Sequence, residues 1–145
     1  MKLGIISDHR GYNLKEQIKP YLKNFEVIDY GTDSTESIDY PDFAFKLGEA
    51  VVSKEVDLGI AICGSGIGMS IACNKVKGIR CARVTNTEDV KVTRNDNDAN
   101  IIAFGENIPL QDALNIISTF VNTPCSMDER HVRRRNKLSS YEENR

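Results

Sequence analysis

The chain has 145 residues, a formal net charge of −2, 40% hydrophobic and 28% charged residues, the profile of one compact soluble domain that buries a core without disulfides. That balance excludes a global basic field for nucleic acid or a membrane surface, and no stretch approaches the ~20 apolar residues of a membrane helix. The apolar run Leu3–Ile6 is too short for a secretion signal, so the cysteines at 63, 73, 81 and 125, none in a CxxC pair, are expected as free thiols of a reduced, cytoplasmic protein without structural zinc.

Lys2–Ser7 is a short β-branched run and reads as a buried strand. Leu14, Ile18, Tyr21, Leu22 and Phe25 then recur at helical spacing, with Pro20 expected to kink or shorten the helix. Phe25–Tyr30 is a second strand and residues 31–40 a polar loop. Pro41 opens a helix whose apolar face is Ala44, Leu47 and Val51. Asp57–Cys63 is a continuous apolar run, the mark of a strand buried on both faces. Cys63-Gly-Ser-Gly-Ile-Gly follows, then a helix to about Lys75. Ile79–Val84 is a fourth strand, Asn86–Asp96 a weak helix and Asn100–Phe104 a fifth strand. Leu110, Ala113, Leu114, Ile117, Phe120 and Val121 mark the clearest amphipathic helix, which Pro124 ends. From Asp128 the tail is charged and reads as helical.

Five strands alternating with helices predict a three-layer αβα sandwich: a five-stranded parallel sheet, doubly wound and Rossmann-like, with a C-terminal helical tail. Ligands of such sheets bind beyond the carboxyl ends of the strands. At the third exit, Gly64, Gly66 and Gly68 let the backbone turn sharply and expose N–H groups at a helix start, a geometry suited to an anion. Cys63 stands at the lip of that loop. Thiols at helix N-termini ionise more readily than free ones, and a thiolate beside oxyanion donors suits proton abstraction next to a carbonyl. The competing reading makes Cys63 a small buried hydrophobe. Asp8 and His9 close the first strand and also fit a helix cap with a surface histidine. Arg130 and Arg134 share one helix face, fit either to clamp a phosphate or to stand in solvent.

Taken together, Ser7-Asp8-His9 with Gly11, Val27–Thr32, Asp39-Tyr40-Pro41, Ile62–Gly68 with Ala72, Asn74 and Lys75, Gly78-Ile79-Arg80, Asn97-Asp98 with Asn100, Ala103-Phe104-Gly105 and Arg130-His131 with Arg134 resemble type B ribose-5-phosphate isomerases and the related galactose-6-phosphate isomerase subunits. The resemblance covers nearly the whole chain and implies one sugar-phosphate isomerase domain over residues 1–145. It implies a homodimer, or a tetramer, with active sites shared between subunits. It also implies cofactor-free and metal-free interconversion of ribose 5-phosphate and ribulose 5-phosphate through an enediolate, in the pentose phosphate pathway. On this sequence, Cys63 would move the proton, and Ser65 with the N–H groups of Gly64, Ser65, Gly66, Ile67 and Gly68 would hold the enediolate oxygens. Asp8, His9, Tyr40 and Asn97 would contact the substrate, and Arg130 and Arg134 its phosphate.

Two residues depart from the family pattern. Asp96 stands where a histidine usually protonates the ring oxygen, and an ordinary carboxyl is ionised at neutral pH. Either Asp96 is tuned as the acid, His9 replaces it, or the ring opens in solution. Asn107, at the remaining substrate position, replaces an arginine and so removes a phosphate contact of about 1.5–3 kcal/mol. These departures leave two alternatives open: an isomerase of a hexose 6-phosphate such as allose or galactose 6-phosphate, or an inactive phosphosugar-binding relative.

Overall fold

The computed structural model describes residues 1–144. In chain order the elements are β1 (Lys2–Ser7), α1 (Tyr12–Ile18), β2 (Glu26–Asp29), α2 (Tyr40–Val52), β3 (Leu58–Cys63), α3 (Ile67–Cys73), β4 (Cys81–Arg83), α4 (Thr87–Asn97), β5 (Ile101–Gly105), α5 (Leu110–Asn122) and α6 (Glu129–Glu143). The five strands pair in parallel in the order β2-β1-β3-β5-β4. Strand side chains alternate between faces, and the sequence places apolar groups on both. Leu3, Ile5, Ile60, Ile62, Ile102 and Phe104 pack with α1, α4 and α5 on one face. Ile6, Ala61, Cys63, Ile101 and Ala103 pack with α2 and α3 on the other. Each fully buried side chain of the size of Ile or Phe contributes about 1.5–3 kcal/mol, so the two cores fix the three layers. This is the α/β Rossmann-like sandwich that the alternating pattern predicts, and no helix is long and apolar enough to cross a membrane among the described residues.

The boundaries differ where local chemistry intervenes. Pro20 has no N–H, so α1 stops at Ile18 and the chain tightens into a 3-10 turn over Lys19–Tyr21. The fourth strand is shorter than Ile79–Val84: Ile79 N–H closes a turn to Val76 O, and Arg80 N–H donates to the Asn100 side chain, so only Cys81–Arg83 joins the ladder.

This topology locates a crevice. After β1 the chain steps outward to β2, and after β3 it crosses the other way to β4. Adjacent crossovers in opposite directions leave a gap beyond the carboxyl ends of β1 and β3. Ser7 pairs with Ile62 there, so Asp8, His9 and Cys63 leave the sheet side by side.

Candidate active site

Asp8 is buried, and its Oδ1 accepts N–H bonds from Arg10 at 3.0 Å and Gly11 at 2.9 Å. The carboxylate thus turns the chain into α1 through one oxygen, leaving Oδ2 without a donor among the described residues. His9 Nδ1 accepts the Ile38 N–H at 3.3 Å. A neutral imidazole that accepts at Nδ1 carries its proton at Nε2, so the loop over residues 31–40 sets the free end of His9 as a donor. Tyr40 begins α2, and its ring lies against the first turn of α3: a Cβ on Gly68 would stand 2.8 Å from Tyr40 Cζ.

Cys63 closes β3 and is 5% exposed. Its Sγ accepts the Gly66 N–H at 3.1 Å. Gly66 adopts φ +80°, and a Cβ there would lie 2.8 Å from Phe104 Cα. Only glycine meets both demands, so the loop from Gly64 to Gly68 folds back over the sulfur. Ser65 is exposed, with its Oγ accepting the Ile67 N–H at 3.2 Å. Asn107 stands in an exposed turn after β5, where the Glu106 N–H reaches Gly64 O at 3.4 Å. The structure therefore brings together Asp8, His9, Tyr40, Cys63 and the segment from Gly64 to Gly68, with Asn107 at the same end of the sheet.

Three charged residues join this end that spacing alone did not single out. Arg10 pairs with Glu106 at 2.9 Å, and its guanidinium covers Gly64, where a Cβ would lie 2.5 Å from Arg10 Cζ. Arg83, at the end of β4, donates its Nε–H to Ser65 O at 3.1 Å. These contacts join strands far apart in sequence, so no local motif marks them.

The remaining candidates lie elsewhere. α4 starts at the carboxyl end of β4 and returns to the amino end of β5, carrying Asp96 and Asn97 away from Cys63 along about 16 Å of helix. α6 docks there: Arg135 Nη1 donates to Asp96 O at 3.3 Å, and His131 Nε2 lies 3.6 Å from Asp96 Oδ1. His131 Nδ1 is buried without a hydrogen-bond partner among the described residues. Arg130 and Arg134 are exposed on the same helix. A hollow of about 460 Å³ opens beside Asn97, lined also by Arg80, Cys81, Leu138 and Tyr141. Within one chain, then, Asp96, Asn97, Arg130 and Arg134 do not meet Cys63.

A charged cluster supports the crevice from below. Lys15 is fully buried, and its Nζ donates to Asp29 Oδ1 at 2.7 Å, Asp29 Oδ2 at 2.8 Å and Thr32 O at 2.6 Å. Burial pushes the Asp29 carboxyl up, but hydrogen bonds from Lys15, Lys19 and the Gly31 N–H outweigh it and hold the group below the usual range. Of the other thiols, Cys81 is pushed well above the ordinary range by contact with the Cys73 thiol and by burial, so it stays protonated at neutral pH. All four cysteines are free, and among the described residues no cluster of three His, Cys, Asp or Glu could hold a metal ion.

The sequence profile of the Ribose/Galactose Isomerase family matches residues 3–138. The solved structure of Clostridium thermocellum ribose-5-phosphate isomerase B aligns with a TM-score of 0.95 at 50% identity, covering 99% of each chain. A Bacillus subtilis protein carrying the provisional name of a sugar phosphate isomerase is 47% identical over 146 residues, 99% of this chain and 98% of the relative. Ribose-5-phosphate isomerase B of Escherichia coli is 37% identical over 147 residues, with the same two coverages.

Proposed function

The chain belongs to the Ribose/Galactose Isomerase family, and from that premise we propose that it interconverts ribose 5-phosphate and ribulose 5-phosphate with Cys63 as the base. The observation that carries the reading is the sulfur itself, held at a strand end under a glycine loop, with a backbone N–H directed at it. The Cys63 thiolate removes the C2 proton of the open-chain aldose. The electron pair moves toward the C1 carbonyl oxygen, giving an enediolate. The thiol returns the proton to C1 while the C2 hydroxyl proton passes to O1, so that C2 becomes the carbonyl and the ketose forms with no net oxidation and no cofactor. Negative charge grows on the oxygens only as the proton leaves, so N–H donors of the segment Gly64–Gly68 other than Gly66, whose N–H is on the sulfur, favour the transition state over bound substrate. Asp8 Oδ2 and His9 Nε2–H hold the sugar hydroxyls, and Tyr40 walls the site.

The phosphate and the ring oxygen need partners that one chain does not supply beside Cys63. In a homodimer, the amino end of one copy's sheet meets the carboxyl end of the other's. Arg130 and Arg134 then bind the phosphate, Asn97 contacts the sugar, and Asp96 beside His131 stands next to the ring oxygen. A hexose 6-phosphate is the second reading, and one observation favours it. Asn107 is exposed at the crevice rim and brings no charge where the family pattern has an arginine, which leaves room for a longer sugar.

Purified protein without added metal is to be assayed on ribose 5-phosphate and on allose and galactose 6-phosphates, beside Cys63→Ala. Turnover highest on ribose 5-phosphate and lost in the variant is the expected result. Faster turnover of a hexose phosphate would replace the substrate, and near-normal activity of Cys63→Ala would remove the base.

A further inference from the structure

Arg83 is exposed, and the ion pairs among the described residues give it no carboxylate, whereas Arg10 at the same end is paired with Glu106. Its register partner is Ala103, which shares a core cluster with Cys63. The Arg83 side chain therefore leaves the sheet on the face that holds Cys63 and reaches across the end of β5 to the glycine loop. There it meets one peptide unit, Ser65–Gly66. The carbonyl of that peptide accepts the Arg83 Nε–H at 3.1 Å, and its N–H donates to Cys63 Sγ at 3.1 Å.

We propose that Arg83 is a positioning residue for Cys63, acting through the Ser65–Gly66 peptide. A peptide is planar, with its C=O and N–H pointing in opposite directions. Fixing the carbonyl on Arg83 therefore aims the N–H at the sulfur. The left-handed backbone of Gly66 and its close approach to Phe104 stop the unit from turning. A permanently charged guanidinium on the oxygen also polarises the peptide, and hydrogen bonds in such chains strengthen one another. Negative charge on the sulfur is thereby supported by a cation that never touches it. The consequence for isomerisation rests on Cys63 being the base; the coupling itself does not.

The test is the rate of Cys63 alkylation by iodoacetamide at neutral pH, resolved by site with mass spectrometry, in the wild type, Arg83→Met and Arg83→Lys. Cys125, distant in sequence, serves as the internal control. Arg83→Met should slow alkylation at Cys63 by about three- to tenfold, the size of one hydrogen bond on a rate, and leave Cys125 unchanged. Arg83→Lys, which keeps the charge, should recover at least half of that loss on a logarithmic scale. In turnover, Arg83→Met should lower kcat with little change in KM. Cys63 reactivity equal to wild type in Arg83→Met would overturn the proposal. So would equal slowing of Cys63 and Cys125, which reports general loosening, or a loss confined to KM, which makes Arg83 a substrate contact. Because alkylation needs no sugar, a wild type that fails to isomerise ribose 5-phosphate while showing the Arg83 effect would refute the proposed function and leave this coupling standing.

Discussion

At the carboxyl end of the sheet, Cys63 is 5% exposed, its sulfur is held by a backbone N–H, and Gly66 has no freedom to move without displacing β5. At the amino end, Arg130 and Arg134 stand exposed on a helix that touches the domain mainly through α4. The first region is made of backbone and is rigid; the second is made of long, solvated side chains. Rigid donors can favour a transition state over a ground state, while flexible charges bind both states alike. The proposed division follows: Cys63 and its loop at the carboxyl end govern kcat, and the two arginines at the amino end govern KM.

The largest effect that would break this division is expected from Cys63→Ala. Removing a general base should lower kcat by about a hundred- to ten-thousandfold, with phosphate affinity retained in a binding assay. A variant that loses affinity and keeps kcat would reverse the roles of the two ends. Next in size is Lys15→Met, which probes what keeps the carboxyl end rigid. It leaves the Asp29 carboxylate to Lys19 and the Gly31 N–H alone and frees the Thr32 carbonyl, and should destabilise the fold by about 3 kcal/mol in urea unfolding. An unchanged midpoint would mean that the crevice does not depend on its buried charge. At the other end, Arg134→Ala should raise KM by about tenfold or more, the worth of one charged hydrogen bond, with kcat little changed. A fall in kcat alone would count against a binding role.

The smallest expected effect sharpens the picture of the support beneath the crevice. Asp29 is held below its ordinary range, so its contribution to stability is present above the unfolded value and is lost as pH falls through the folded one. Lys19 has the opposite sign. Its hydrogen bond to Asp29 raises it above the ordinary 10.5, so its contribution is present below that value and is lost as pH rises through the raised one. The thermal midpoint of the wild type should therefore fall more steeply than that of Asp29→Asn as pH drops below the ordinary 3.8 of the carboxyl. Parallel curves would remove Asp29 from the account.

The same contrast decides what a reader of the sequence can see. The β3–loop–α3 segment is legible because a buried strand, alternate glycines and a helix start act on neighbouring residues. The amphipathic α5 and the break at Pro20 are legible for the same reason. The cysteine at the lip of the glycine loop is visible too, but no periodicity separates a base from a small hydrophobe; the base there is what the family resemblance implies. Arg83 on Ser65, Lys15 under Thr32 and Arg10 over Gly64 join residues 17 or more apart in the chain, and no spacing rule reports them. Asp96 and Asn97 appear beside the other site residues in a motif reading because sequence order does not show that α4 carries them to the opposite end of the sheet. The shortened β4 follows from the Asn100 side chain, a partner that strand propensity ignores.

The central claim, that one site needs both ends and therefore two copies, is tested most directly by mixing. Cys63→Ala and the double variant Arg130→Ala/Arg134→Ala are each expected to turn over ribose 5-phosphate poorly at low substrate. Unfolded together in equal amounts and refolded, they form mixed dimers, each with one site whose Cys63 and arginines are all intact. Activity should then return to about a quarter of the wild-type level, since half of randomly paired dimers are mixed and each holds one good site. If activity in the mixture only averages the two parents, each site belongs to a single chain, and the assignment of Arg130 and Arg134 to the partner's Cys63 is wrong.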